Sequence, residues 1–395
     1  MSKPLNVLVL CYEYPPIGGG GGVGAKQYAE AWAAAGHHVT VLTSWDKGLL
    51  RRENIGGVDV IRVFVFGKKD RATATNLSML CYLFFGFFYL LRHLFVLRRT
   101  EVINTHFSIP TGPLGVVASK LLSAPNILTI IGGDIYDPTK RSSPHRRAVL
   151  RLANACIINS ANIIVAISSD TKKRATQHYK IRKPIHVINY GFEPMKIAKS
   201  NRGDLGLIEN AYYLISVGRL VERKGFEFLI RSLGNLPDDV RLLIIGDGPL
   251  ESKLIDVAHQ EEVGERVSFL GYQPREKILR YLTLADCYVL SSLHEGLGIV
   301  VQEAMFAGLP IVSTDNGGQV DLVKDGRNGV LTKPADVDRL TTAIEKLYSD
   351  RRLAAGMAAN NRQDIEQLYM SVNCEEYIAF FRDALGGRIP QTSGT

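Results

Sequence analysis

Glu295 and Glu303 are separated by seven residues in the run EGLGIVVQE. A carboxylate accepts two hydroxyl hydrogen bonds at once, which is how proteins hold the vicinal diols of ribose or hexose. The apolar residues between them put Glu295 in a loop and Glu303 on the first turns of a helix that begins near Ile299. Upstream, Arg219 and Lys224 in GRLVERKG supply fixed positive charge, while Gly296 and Gly298 let backbone N–H groups approach an anion at the helix start. Cations, glycines and a helix start make a diphosphate site by chemistry. Singly, each has an ordinary reading: GR and KG end a strand and open a surface helix, and an acid at a helix start is favoured by the macrodipole. Together they favour the site.

Other chemistries compete for the same residues. A fully helical separation of the two acids would be about 12 Å, at about 1.5 Å per residue, against the ~5 Å of a retaining hydrolase pair, which leans against hydrolysis. In the first half, EYPPIGGGGGVG precedes a helix; Gly19, Gly21 and Gly24 satisfy GxGxxG, and Asp46 lies 22 residues beyond Gly24. A dinucleotide enzyme is therefore a rival. Yet five consecutive glycines match almost any glycine pattern, and residues 13–17, with two prolines, hold them away from the strand that the fingerprint turns off directly. A mobile loop over a phosphate or an acceptor fits better. His106 ends VINTHF and Asp134 follows ILTII in the loop GGD; a buried histidine or a turn-forming aspartate looks the same.

Ligands of an open parallel sheet bind beyond the carboxyl ends of its strands, so the strands must carry these residues there. Short Val- and Ile-rich runs bounded by Gly, Pro or Asp alternate with helical patterns, the mark of parallel sheets built from βαβ units. The pattern predicts strands at 6–12, 39–44, 59–63, 102–106, 127–131, 163–167 and 186–189, then again at 213–217, 241–245, 267–270, 287–291 and 310–313. Gly218 and Arg219 follow 213–217, the GDGP of residues 246–249 (with Gly248) follows 241–245, LHEGLG follows 287–291 and TDNGG follows 310–313. Two doubly wound domains follow, with a linker in 191–210, a last helix near 374–385 and a frayed tail, GGRIPQTSGT.

A chain of 395 residues with 46% hydrophobic and 22% charged residues holds about two domains and is neither disordered nor fibrous. Five scattered cysteines, none in a CxxC pair, argue against a disulfide framework or a structural zinc and fit a reducing compartment. The amino terminus reads as a first strand, not a secretion signal, so the expectation is a cytoplasmic protein. Residues 1–190 carry 24 Lys and Arg against 10 Asp and Glu, whereas residues 191–395 carry 23 against 29. A basic half attracts nucleic acid, anionic membrane or anionic substrate; no nucleic-acid-binding pattern is present, and a membrane surface fits better. Residues 77–91, LSMLCYLFFGFFYLL, are fifteen, short of the ~20 that span a bilayer. With KKDR before them at 68–71 and Arg92, Arg98 and Arg99 after, they form either an interfacial segment or a buried helix.

These residues together resemble the retaining glycosyltransferases of family 4, which have the α/β GT-B architecture: two Rossmann-like, doubly wound parallel-sheet domains facing across a cleft. The resemblance rests on PPIGGGGGVG, INTHF, IGGD, NYGFE, VGRLVERKG, IIGDGP, GYQP and HEGLGIVVQEAMFAGLPIVSTDNGG. It implies an acceptor-binding domain at 1–190, with a helix at 374–390 packing back on it, and a nucleotide-sugar domain at 200–373. Glu303 would hold the ribose and Glu295 the donor sugar, with Arg219 and Lys224 on the diphosphate. Gly218, Gly248, Gly296, Leu297, Gly298 and Ile299 would line the donor, with backbone amides of Gly298 and Ile299 near the phosphates. Gly21 or Gly22 would approach the distal phosphate, Tyr272 would border the base, and His106 and Asp134 would lie on the acceptor side. One departure stands out: where the family often shows His-Gly-x-Asp, this chain reads Ile131, Gly132, Gly133, Asp134, so a histidine near the donor sugar is missing.

The resemblance further implies front-face attack with retention, the leaving diphosphate taking the acceptor's proton. Cations rather than Mg²⁺ meet the developing charge, so no metal or other cofactor is expected. The expected donor is a hexose or N-acetylhexosamine on UDP, with GDP second; the expected acceptor is a glycan or lipid-linked molecule, used in cell-envelope polysaccharide or glycolipid synthesis at the inner face of the membrane. A sugar-nucleotide-binding protein without transferase activity, or an epimerase of the same build, would share the nucleotide residues.

Overall fold

The computed structural model describes residues 3–68, 71 and 74–388, and the chain divides into two compact units, 1–193 with 370–395 and 194–369. Lys69 and Asp70 of KKDR, and residues 389–395 of the polar tail, lie outside the described residues.

Unit 1 contains β1 (Asn6–Cys11), β2 (His38–Ser44), β3 (Arg52–Ile55), β4 (Val58–Val63), β5 (Val102–His106), β6 (Asn126–Ile130), β7 (Ile163–Ala166) and β8 (Ile185–Val187). They form one sheet in the order β3-β4-β2-β1-β5-β6-β7-β8, parallel except for the β3/β4 pair. Strand order reverses between β1 and β5, where Cys11 lies opposite His106, so the segments leaving these two strands emerge together. The helix Met370–Leu385 belongs to this unit and starts four residues before the expected 374. Its Phe381 packs edge-on against Trp32 at 4.8 Å, and its Tyr377 hydroxyl lies 2.9 Å from Thr129 Oγ1.

Unit 2 contains β9 (Tyr212–Val217), β10 (Val240–Ile245), β11 (Val267–Phe269), β12 (Cys287–Leu290), β13 (Ile311–Thr314) and β14 (Gly329–Thr332), all parallel in the order β11-β10-β9-β12-β13-β14. The inner strands are buried on both faces, hence their continuous Val, Ile and Leu runs. Phe226, Leu229, Ile230 and Leu233 line one face of a helix against this sheet at helical spacing.

Two strands escaped the sequence pattern. β3 is short and polar, but Gly56 and Gly57, with φ of +57° and +81°, make the two-residue turn that pairs it with β4, a hairpin signal present in NIGGVDV. β14 is a four-residue edge strand. The glycine run also differs from expectation: it is not a mobile loop, because the helix Gly20–Ala34 takes in Gly21, Gly22 and Gly24. A methyl on Gly21 would lie 2.7 Å from Phe107 Cζ, and one on Gly24 2.6 Å from the Tyr190 ring, so close packing accounts for these glycines.

Candidate functional site

β9 and β12 are the neighbours at which the order of the second sheet reverses, so their carboxyl ends open side by side. Two hydrogen bonds lash the emerging segments: Leu293 N–H donates to the Arg223 carbonyl at 2.8 Å, and Ser291 Oγ donates to the Lys224 carbonyl at 3.1 Å. That pairing carries Lys224 Nζ to 2.5 Å from Glu295 Oε2, with Arg223 Nη1 3.5 Å from Oε1. Arg223 also donates to the carbonyl of His294 at 3.1 Å. Burial by itself pushes the Glu295 carboxyl up, but Lys224, then Arg223, with His294 adding to them, bring it down to about 2. Glu295 is thus an anion at neutral pH.

The loop after β13 braces it from behind. Gly318 N–H donates to the Glu295 carbonyl at 2.8 Å, and Gly317, at φ +140°, passes so close that a Cβ would sit 2.3 Å from that oxygen. In front lies the helix Ile299–Ala307, entered through Gly298 at φ +92°, with no side chain capping its first turn. Such a glycine-entered helix start offers backbone N–H groups and the positive end of the dipole to an anion.

Glu303 is in the second turn of that helix, 6% exposed, and is paired with Arg275, whose Nε lies 2.8 Å from Oε1. Burial raises its carboxyl and Arg275 opposes this. Both glutamates act on the buried phenol of Tyr288 in β12, which burial raises first and then each carboxylate in turn.

The remaining residues expected on the donor side are spread along the same strand ends. Gly218 N–H bonds the Ile245 carbonyl at 2.9 Å, and Arg219 beside it is exposed. Gly248 lies against Leu220, whose carbonyl a Cβ there would meet at 2.5 Å. Tyr272 is 76% exposed in a loop tied to the GDGP turn by Gly246 N–H donating to the Gly271 carbonyl. Gly296 and Ile299 are half-buried, whereas Leu297 is buried. Arg223, Arg275 and Tyr288 were not singled out in the sequence. Arg223 adjoins Lys224 and Arg275 follows GYQP, but only the folded chain pairs each with its glutamate.

In unit 1 the two residues expected on the acceptor side are interior. His106 is fully buried, its ring nitrogens are without hydrogen-bond partners among the described residues, and burial brings its pKa down to about 3, so it is neutral. Asp134 is consumed by its surroundings: one oxygen accepts from Ser108 N–H and Oγ at 2.7 and 3.0 Å, the other from Ile131 and Gly132 N–H at 3.0 and 2.9 Å. It fastens the loops after β5 and β6 to each other. Between them Phe107 holds a positive φ of 71°, a strained backbone of the kind that collects at functional sites, and its ring tip abuts Gly21.

Residues 18–195 match the family Glycosyltransferase Family 4, and residues 198–364 match Glycosyl transferases group 1. The chain belongs to the family 4 glycosyltransferases. An uncharacterised glycosyltransferase of Methanocaldococcus jannaschii is 26% identical to it over 379 residues, 92% of this chain and 94% of that one. The UDP-Gal:alpha-D-GlcNAc-diphosphoundecaprenol alpha-1,3-galactosyltransferase of Escherichia coli is 28% identical over 281 residues, 68% of this chain and 71% of that one. Among solved structures, sucrose-phosphate synthase of Thermosynechococcus elongatus superposes with a TM-score of 0.84 at 20% identity, covering 97% of this chain and 99% of the other. The fold of this glycosyltransferase is therefore GT-B, with two Rossmann-like parallel-sheet domains.

Proposed function

We propose that this glycosyltransferase moves a hexose or N-acetylhexosamine, with retention, from a nucleoside diphosphate sugar to a glycan or lipid-linked acceptor of the cell envelope. UDP is the favoured carrier and GDP the second; the Escherichia coli relative is named for a UDP sugar and a diphosphoundecaprenol acceptor. One observation carries the reading: Lys224 and Arg223 converge on an ionised Glu295 at a helix start that only glycine caps.

In the free protein Glu295 occupies the charge of Lys224. An incoming diphosphate competes for the same ammonium and for the helix N–H groups, and a Glu295 oxygen released from Lys224 accepts a sugar hydroxyl. Glu303 holds the ribose hydroxyls, with Arg275 fixing its rotamer. As the acceptor oxygen attacks from the leaving-group face, the bond from the anomeric carbon to the diphosphate breaks and the acceptor proton passes to a phosphate oxygen. No side-chain base is required. Lys224, Arg219 and the helix start meet the charge that develops on the phosphate, a preorganised electrostatic contribution worth about 10²- to 10³-fold per donor. The role calls for no metal ion, so turnover continues in EDTA. The cysteines are free thiols, which suits a reducing, cytoplasmic setting.

The test is the anomeric configuration of the product, read by proton NMR after incubation with UDP-hexoses in the presence of EDTA. Retention supports the reading and inversion contradicts it. A protein that binds the sugar nucleotide but neither transfers nor epimerises it would be the non-catalytic alternative.

A further inference from the structure

The segment 77–91 is half of each thing the sequence allowed. It lies in a helix, Asn76–Arg92, whose inner face buries Cys81, Tyr82, Gly86 and Leu90 in the core of unit 1. Gly86 lets the helix sit flush, since a Cβ there would meet Leu114 Cδ2 at 2.7 Å. The outer face is also apolar: Leu77, Leu80, Phe84, Phe87, Phe88 and Leu91 recur at helical spacing and all are exposed, Leu80 at 63% and Phe84 at 57%. Just beyond the helix, Phe95 and Val96 stand out at 87% and 67%.

The face continues onto another part of the chain. Phe64 meets Phe85 edge to face at 5.5 Å and stacks with Trp45 at 5.8 Å, and Phe85 meets Phe84 at 5.2 Å. Arg51 caps this end, its guanidinium 4.4 Å from the Trp45 ring centroid. Monomeric soluble proteins rarely leave so extended an apolar face to water without a partner for it.

We propose that this face seats the protein on an anionic lipid bilayer. Charge complementarity selects that occupant. Residues 71–100 include four arginines and no Asp or Glu, and Arg92, Arg98 and Arg99 are exposed beside the apolar face. Of the acids on the same edge of the unit, Glu53 is paired with Arg62 and Asp46 with Arg71, while Asp59 is exposed and accepts from Asn54 Nδ2 at 2.9 Å. A second copy docking here would bring a second set of these arginines to the same face. The helix is 17 residues long with its inner face packed in the core, and among the described residues no helix is long and apolar enough to cross a membrane. It therefore lies in the interface plane, rings among the acyl chain ends and guanidinium groups among the headgroups. This inference goes beyond the donor chemistry and does not depend on it.

The test is co-sedimentation of the full chain with vesicles of phosphatidylcholine alone or with one third phosphatidylglycerol. Wild type is expected to bind the anionic vesicles at least tenfold more strongly, and to lose that preference in high salt. The exposed-site variant F84D/F88D is expected to lose binding at least tenfold, and R98E/R99E to lose the anionic preference, each melting like wild type and binding nucleotide unchanged. Absence of binding at low salt, equal binding by F84D/F88D, or a wild-type dimer that F84D/F88D converts to monomer would overturn the proposal.

Discussion

Lys224 Nζ and Glu295 Oε2 lie 2.5 Å apart, joining the segments that follow β9 and β12. The contact holds the carboxylate charged in a buried place and keeps the ammonium where a diphosphate would need it. Replacing Lys224 by Met takes from a buried carboxylate its nearest cation, leaving Arg223 at 3.5 Å and a long contact from Ser292 Oγ at 3.4 Å. The expected result is a loss of about 3 kcal/mol in the nucleotide-free protein, with transfer down about 10²- to 10³-fold, read by denaturant unfolding and by initial rates.

The same contact sets a pH dependence. Glu295 titrates at about 2 in the folded chain against about 4.5 in the unfolded one, so its contribution is present above pH 4.5 and is lost as pH falls toward 2. Its size is on the order of 3 kcal/mol. Unfolding of wild type and Glu295→Gln across that window should show wild type losing the larger share of its stability.

Gly317 braces Glu295 through a backbone conformation that only glycine adopts cheaply. Gly317→Ala is expected to move Glu295 off Lys224. The measurement is the rate of transfer, which should fall by at least tenfold while melting drops by only a few degrees; an unchanged rate would mean that the loop does not position Glu295.

His106 is neutral because it is buried, with a folded pKa of about 3 against an ordinary 6.5. The unfolded chain takes up a proton that the folded one refuses, so stability falls as pH falls from 6.5 toward 3. His106→Leu should flatten that decline and leave the pH–rate profile between 6 and 9 unchanged. Loss of an acidic limb would instead make His106 a proton acceptor in the reaction.

What was legible in the chain followed locality. Runs such as YYLISV and CYVL, buried on both faces, announce themselves as strands by continuous apolar residues, and the residues just beyond them were singled out because ligands gather there. The polar edge strand β3 carried no such run. Arg275 lies 28 residues from the Glu303 it pairs with, and Arg223 lies 71 from His294, separations at which no periodicity operates. Asp134 illustrates a related point: an acid after a strand looks the same whether it is free for a ligand or, as here, bonded to four protein donors. The glycine run looked like a loop because composition does not show that Phe107 comes to press on Gly21 and Tyr190 on Gly24.

The central claim is that the Glu295–Glu303 segment binds a nucleoside diphosphate sugar, and a thermal-shift panel of UDP, GDP, ADP and NAD on wild type and Glu303→Ala tests it most directly. A ligand at 100 times its Kd adds about 2.7 kcal/mol of stability. The account predicts that UDP, or failing that GDP, raises the melting temperature of wild type and not of Glu303→Ala. Stabilisation by NAD alone, or equal stabilisation of both proteins by UDP, would contradict it.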